Sequence, residues 1–97
     1  MIEVKQAVET AANYLADLFA NEGISDIRLE EVELSEDGQT WYVTLSFLRT
    51  RKATGRTLVD GLRVGSVGGI EKDRDFKVLA LRATDGQVTS VKIRQLA

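Results

Sequence analysis

A long stretch between two pairs of strand-like segments limits what this chain can fold into. Residues 50–73 hold five of the eight glycines and overlap a basic run at residues 49–56 (Arg-Thr-Arg-Lys-Ala-Thr-Gly-Arg). Connections in compact domains usually have about 4–6 residues, and longer ones are often functional. We therefore predict that residues 50–73, called the arm below, form an extended arm or loop within one domain of residues 1–97, and that partners bind there.

The arm also has turn signals of its own. Asp60-Gly61 lies between short apolar flanks, a pattern typical of hairpins, because type I′ turns need φ > 0 at both central residues. Residues 56–64 are therefore predicted to form a β-arm, and residues 65–69 (Gly-Ser-Val-Gly-Gly) a glycine hinge. The candidate partner-binding residues of the arm are Arg51, Lys52, Arg56, Leu58, Val59, Leu62, Arg63 and Val64.

The remaining sequence predicts one helix followed by four strands. Apolar residues recur every three or four positions over residues 4–22, which indicates a helix, and Gly23 is predicted to end it. Alternating segments follow, with Asp37-Gly38 and Asp85-Gly86 as turns and a change of parity at Glu30-Glu31 that predicts a β-bulge. The predicted fold class is α+β, with the N-terminal helix packed on a four-stranded antiparallel sheet and the arm between strands 2 and 3.

Alternation also assigns the strand residues to the two faces of the sheet. The core face is predicted to pack on Leu15, Leu18 and Phe19 of the helix, and to consist of Trp41, Val43, Leu45, Phe47, Phe76 and Val78. The second face is predicted to carry an apolar patch, which seldom stays exposed. Its members are Tyr42, Leu48, Leu79 and Leu81. We expect either the arm or another subunit to cover this patch.

Composition argues against several function classes. The chain has no His and no Cys, which removes the commonest general base, the thiol nucleophile and most transition-metal sites. No cofactor is predicted, and the acidic residues Glu30, Glu31 and Glu33 are interpreted as edge charges rather than metal ligands. With no signal peptide and no apolar run of about 18 residues, we expect a cytoplasmic protein without membrane contact.

Charge is divided unevenly along the chain. Residues 1–48 hold two basic and ten acidic side chains, and residues 49–97 hold eleven basic and five acidic ones. Either the two halves complement each other within the domain, or they form two surfaces that guide a partner. Nucleic acid is not the expected partner, because the chain is acidic overall and the arm has no aromatic residue for base stacking.

The order of elements resembles the PepSY-type and cystatin-like domains. An Ala-rich helix precedes residues 41–47 (Trp-Tyr-Val-Thr-Leu-Ser-Phe), residues 75–81 (Asp-Phe-Lys-Val-Leu-Ala-Leu) and residues 84–91 (Thr-Asp-Gly-Gln-Val-Thr-Ser-Val). The resemblance covers residues 4–48 and 74–94, not the arm. It implies a cystatin-like fold and a non-catalytic role in binding or inhibition. The protease-binding loop of cystatins is not reproduced, since Gly65 stands at its Gln position and the chain has no Pro.

The leading hypothesis is a small, bacterial-type, non-enzymatic interaction module. It would form a homodimer or bind another protein through the arm and the second face, where Tyr42, Leu79 and Leu81 would supply apolar area. An alternative is an enzyme or small-ligand binder with a pocket between arm and sheet, its candidate residues being Tyr42, Ser46, Asp60 and Asp75. A toxin-neutralising immunity or inhibitor protein is a third possibility compatible with the size and the charge division.

Overall fold

The fold is one helix packed on a four-stranded antiparallel sheet, as the sequence predicts. A computed structural model describes residues 1–52 and 70–94, with only the backbone described at residues 50–52 and 70–72. Its elements are α1 (Val4–Leu18), β1 (Ile24–Leu34), β2 (Thr40–Lys52), β3 (Ile70–Arg82) and β4 (Val88–Ile93). The strands lie in the order β1-β2-β3-β4, so each strand pairs with its neighbour in sequence.

Helix α1 ends earlier than predicted. It stops at Leu18 rather than at residue 22, with Phe19 as its C-cap, and Gly23 follows an intervening turn at φ +67°. The prediction that Gly23 directly ends the helix is therefore wrong. The turn places the Phe19 ring on Phe47, with the ring centroids 5.5 Å apart. It also leaves Leu18 half exposed, so its predicted place in the core is wrong as well.

The core lies between α1 and the two central strands. Ala7, Ala11 and Leu15 form the fully buried stripe of the helix, at the spacing of four that places side chains on one helical face. Predicted core residues that are confirmed as buried on β2 are Val43, Leu45 and Phe47, and Trp41 packs at the margin of this cluster. Burial of apolar area by these side chains is the main favourable term that holds the helix on the sheet.

The predicted face assignment of β3 is wrong. Leu79 pairs with Val43, and Leu81 pairs with Trp41, so both leucines point toward the helix and are completely buried. Phe76 and Val78 lie on the opposite face. Apolar residues occupy both parities of residues 76–81, so alternation alone does not select a face. The register against β2 makes that selection, because directly paired residues of antiparallel strands share a face.

Strand β1 contains the predicted bulge and a second one. Leu29 pairs with Leu45 and Glu31 with Thr44, which leaves Glu30 as the extra residue and confirms the bulge at this position. The second irregularity lies between Ser25 and Arg28 and was not predicted. Asp26 adopts φ +52° within it, a conformation that Asp tolerates better than most residues. Both bulges turn charged side chains of β1 toward the second face.

The β2–β3 pairing extends into the segment that the sequence assigned to the arm. It runs without interruption from Thr40↔Arg82 to Lys52↔Ile70, so residues 50–52 and 70–73 belong to strands. Residues 53–69 lie outside the described residues, and with them the predicted Asp60-Gly61 turn and the glycine hinge. The arm between strands 2 and 3 therefore stays a prediction.

The Asp-Gly turns at residues 37–38 and 85–86 form where predicted. At the first, Gln39 N–H and the Ser35 hydroxyl donate to Asp37 Oδ1, and these bonds lower the pKa of the Asp37 carboxyl, the Ser35 bond contributing most. At the second, the Arg82 guanidinium has the same effect on the pKa of Asp85. The carboxylates thus stabilise two backbone reversals by accepting local hydrogen bonds.

Replacing Gly86 with alanine is expected to lower the free energy of unfolding by about 1–3 kcal/mol. Gly86 has φ +78°, and an added Cβ would lie 3.1 Å from Cδ1 of the buried Ile2. Gly38→Ala is the matched control, because Gly38 has φ +73° but open space around it. Urea unfolding of both variants should show the larger loss for Gly86, whereas equal losses would exclude an effect of the Ile2 contact.

Candidate functional site

The second face of the sheet, opposite α1, is the candidate site. We define it by the β2 residues Tyr42, Thr44, Ser46 and Leu48 and by the β3 residues Arg74, Phe76, Val78 and Ala80, which the register pairs with one another. Thr44 and Ser46 are buried here, at 3% and 0% exposure. Buried hydroxyls on a face without a helix indicate that other side chains cover them.

Ser46 lies at the centre of one covering network. Its hydroxyl donates to Glu30 Oε2 at 2.6 Å and accepts from Arg74 Nη1 at 2.6 Å. Arg74 also pairs with the carboxylate of Asp26, which makes a second ion pair of 2.9 Å with Arg28. Both bulges of β1 therefore supply a carboxylate to this network. Hydrogen bonds to charged groups are stronger than neutral ones, so the network holds β1, β2 and β3 together across this face.

Arg94 covers Thr44 in a similar way. Its backbone N–H donates to Phe76 O at 3.0 Å, just beyond the end of β4. Its guanidinium crosses the sheet to Glu31 on β1, with Nη1 2.6 Å from Glu31 Oε1 and 3.4 Å from Thr44 Oγ1. One side chain thus connects the two edge strands over the middle of the sheet.

A shallow groove of about 380 Å³ lies beside this side chain. It is lined by Glu31, Glu33, Tyr42, Thr44, Val78 and Arg94. Tyr42 is 40% exposed, and Val78 beside it is half buried, so the groove has an apolar floor between charged walls. Such a surface can accept an apolar side chain while its rim pairs with polar groups.

Charge on the second face changes sign from one side to the other. Carboxylates follow β1, at Asp26, Glu30, Glu31 and Glu33, interrupted by Arg28. Cations occupy the β3–β4 side, at Arg74, Lys92 and Arg94. Lys92 belongs to this face because it pairs with Val78. The acidic and basic halves of the sequence therefore meet across this face, where the ion pairs Arg94–Glu31 and Arg74–Asp26 join them among the described residues.

Arg49 joins the two halves of the sequence on the helix face of the sheet, where its Nη1 lies 3.4 Å from Glu22 Oε1. Its guanidinium carbon lies 5.4 Å from the Phe19 ring centroid, and Lys77 Nζ lies 5.7 Å from the same centroid. Arg49 Nε is 3.2 Å from Asp75 Oδ2, but its N–H is not directed at that oxygen and donates to no acceptor in the described parts of the chain. These cations lie near the C-terminal end of α1, where the helix dipole favours positive charge.

The predicted partner-binding residues fall into three groups. Tyr42 lies on the second face as predicted. Leu79 and Leu81 do not, since they are buried beneath the helix, and their assignment to the second face is wrong. Arg51 and Lys52 belong to the end of β2, and the other predicted arm residues lie outside the described residues: Arg56, Leu58, Val59, Leu62, Arg63 and Val64.

Sequence reasoning missed most of the groove. The sequence pattern places Val78 in the core, and it does not connect Arg94 or Glu31 with a groove. A usable signal was the alternation of Ser90, Lys92 and Arg94 in the last strand, which places three polar side chains on one face. Their pairing with the acidic strand depends on the strand order and was not readable from local pattern.

The described residues of the predicted small-ligand pocket do not converge. Tyr42 and Ser46 lie on the second face, whereas Asp75 pairs with Phe47 on the helix face. Asp60 lies outside the described residues. Within residues 1–52 and 70–94, no three His, Cys, Asp or Glu side chains are grouped so that they could hold a metal ion.

Comparisons with known proteins do not place the chain in a family. No family model, curated protein or solved structure matches it. The resemblance to PepSY-type and cystatin-like domains therefore stays a prediction. In the described part of the chain, α1 is too short and too polar to cross a membrane.

Proposed function

We propose that this protein is a non-enzymatic interaction module that binds another protein through the second face. The supporting observation is Tyr42, which is 40% exposed beside Val78 in a groove with charged walls. The binding protein is either a second copy of this chain or a different protein. The basic arm would extend the contact from the end of the β2–β3 hairpin.

The chemistry of the second face suits protein binding. Protein interfaces combine an apolar centre with a polar rim, and tyrosine is among the residues that contribute most to their affinity. Here Tyr42, Val78 and Ala80 form the centre, and the ion-paired side chains form the rim. A standard interface covers about 800 Å² on each partner. One face of a four-stranded sheet, with the end of the β2–β3 hairpin, provides an area of that order.

The same geometry favours protein binding over the small-ligand alternative. A ligand pocket usually encloses most of its ligand and presents convergent polar groups. This groove is shallow, and the Arg94 guanidinium at its edge is already paired with Glu31. Its shape fits a protruding side chain of a larger partner better than an enclosed small molecule.

Site-specific photo-crosslinking tests this proposal. A benzoylphenylalanine at position 42 is expected to form a discrete covalent adduct with a protein in cells of the native host. Tyr14 is the matched control, since it is also a tyrosine, is 42% exposed, and lies on the helix away from the second face. Adducts from position 42 but not from position 14 support the proposal. No adduct from position 42, or the same adducts from both positions, would contradict it.

A further inference from the structure

We propose that the second face binds a second copy of this chain, related by a two-fold axis that runs parallel to the strands. The inference rests on the proposed function and specifies its partner. It follows from the charge division of the face, with carboxylates along β1 and cations along β3 and β4. A surface with one sign on each side is complementary to itself only in particular orientations.

Symmetry decides which orientation brings opposite charges together. A two-fold axis between two facing sheets and parallel to the strands reverses their left–right order, so β1 of one copy lies over β4 of the other. An axis perpendicular to the strands would keep that order and place β1 over β1. The first arrangement opposes carboxylates and cations, and the second opposes like charges, which is unfavourable.

The register gives the contacts in the favoured arrangement. Two adjacent rows of side chains cross the sheet. The first consists of Glu31, Thr44, Val78 and Lys92, and the second of Glu33, Tyr42, Ala80 and Ser90. Reversal of the order places Lys92 of one copy over Glu31 of the other, and Tyr42 over Ala80. The exposed tyrosine thus contacts the apolar centre of its counterpart, while unlike charges meet at both margins. Aligned packing of this kind is common between two sheets.

Reversal of two exposed charges tests the arrangement. Glu33→Lys and Lys92→Glu remove no ion pair found among the described residues, so both variants should fold, which thermal unfolding can check. In the proposed dimer, Lys92→Glu places a carboxylate over Glu31 at each of the two margins. Glu33→Lys places an ammonium group one row from Lys92 of the other copy, again at each margin. We expect sedimentation velocity to show about tenfold weaker self-association for each variant alone.

Mixing the two variants is the decisive measurement. In a heterodimer of Glu33→Lys and Lys92→Glu, one margin keeps the wild-type contact of Lys92 over Glu31. At the other margin, the introduced carboxylate at position 92 lies one row from the introduced ammonium group at position 33. Native mass spectrometry of an equimolar mixture should therefore show more heterodimer than random pairing of the two variants gives. Glu9→Lys and Lys5→Glu, on exposed positions of α1, are the matched charge controls and should leave self-association unchanged. Higher salt should weaken the wild-type dimer.

Three results would overturn the inference in different ways. Self-association that neither reversal weakens would exclude the parallel axis. A wild-type chain that remains monomeric, and whose residue 42 still crosslinks to a different protein, would exclude the second copy but leave the proposed binding face intact. A monomer with no adduct from residue 42 would overturn both proposals.

Discussion

Replacing Leu79 with alanine is expected to lower the free energy of unfolding by about 2–5 kcal/mol, the range for large-to-small changes in a packed core. Leu79 is completely buried between the sheet and α1, and it belongs to the same core cluster as Leu15 and Val43. Its removal would lose the transfer free energy of three carbon atoms and leave a cavity. Urea unfolding followed by circular dichroism measures the difference.

Val78→Ala is the control for this prediction, because Val78 is the adjacent residue and points to the other face. It is only half buried, so its loss should cost about 1 kcal/mol or less. A larger cost for Val78 than for Leu79 would contradict the face assignment of β3 in the structure and favour the one predicted from the sequence.

Replacing Ser46 with alanine is expected to cost about 2–3 kcal/mol, more than the loss of a small exposed side chain. The hydroxyl is buried and bonds at once to the Glu30 carboxylate and the Arg74 guanidinium. Alanine would leave both charged groups without that hydrogen bond on a partly dehydrated face. The same unfolding measurement applies, and circular dichroism should show an unchanged fold.

Thr44→Val is the matched control for the buried hydroxyls. Its Oγ1 takes part in one long contact of 3.4 Å with Arg94, which already pairs with Glu31. The cost should therefore stay below about 1 kcal/mol. If Thr44→Val proves as costly as Ser46→Ala, the bonds of Ser46 do not explain its effect.

The construction of the second face bears directly on how it binds a partner. The apolar patch predicted for the second face is smaller than expected among the described residues, because Leu79 and Leu81 belong to the core. Long ion-paired side chains instead cover the small hydroxyls, and the apolar centre is limited to residues around Tyr42 and Val78. Affinity should then come from a small central contact, and orientation from the charges around it.

The elements that the sequence predicted well depend on local chemistry. The bulge at Glu30 follows from a change of parity within one strand, and the turns at Gly38 and Gly86 follow from the freedom of glycine at φ > 0. The end of α1 was predicted less well. A good glycine cap lies at Gly23, but packing of Phe19 on Phe47 accompanies an earlier end.

The amino-acid sequence by itself determined the helix, the four strands and the Asp-Gly turns at residues 37–38 and 85–86, since each depends on the local pattern of neighbouring residues. The uneven division of charge is a property of the sequence itself. Tertiary structure alone decided the rest. The face of β3 depends on its register with β2, because both parities of that strand are apolar. The contact between Arg94 and Glu31 joins residues 63 positions apart, and it exists only because the strand order brings opposite edges of one sheet under a single side chain.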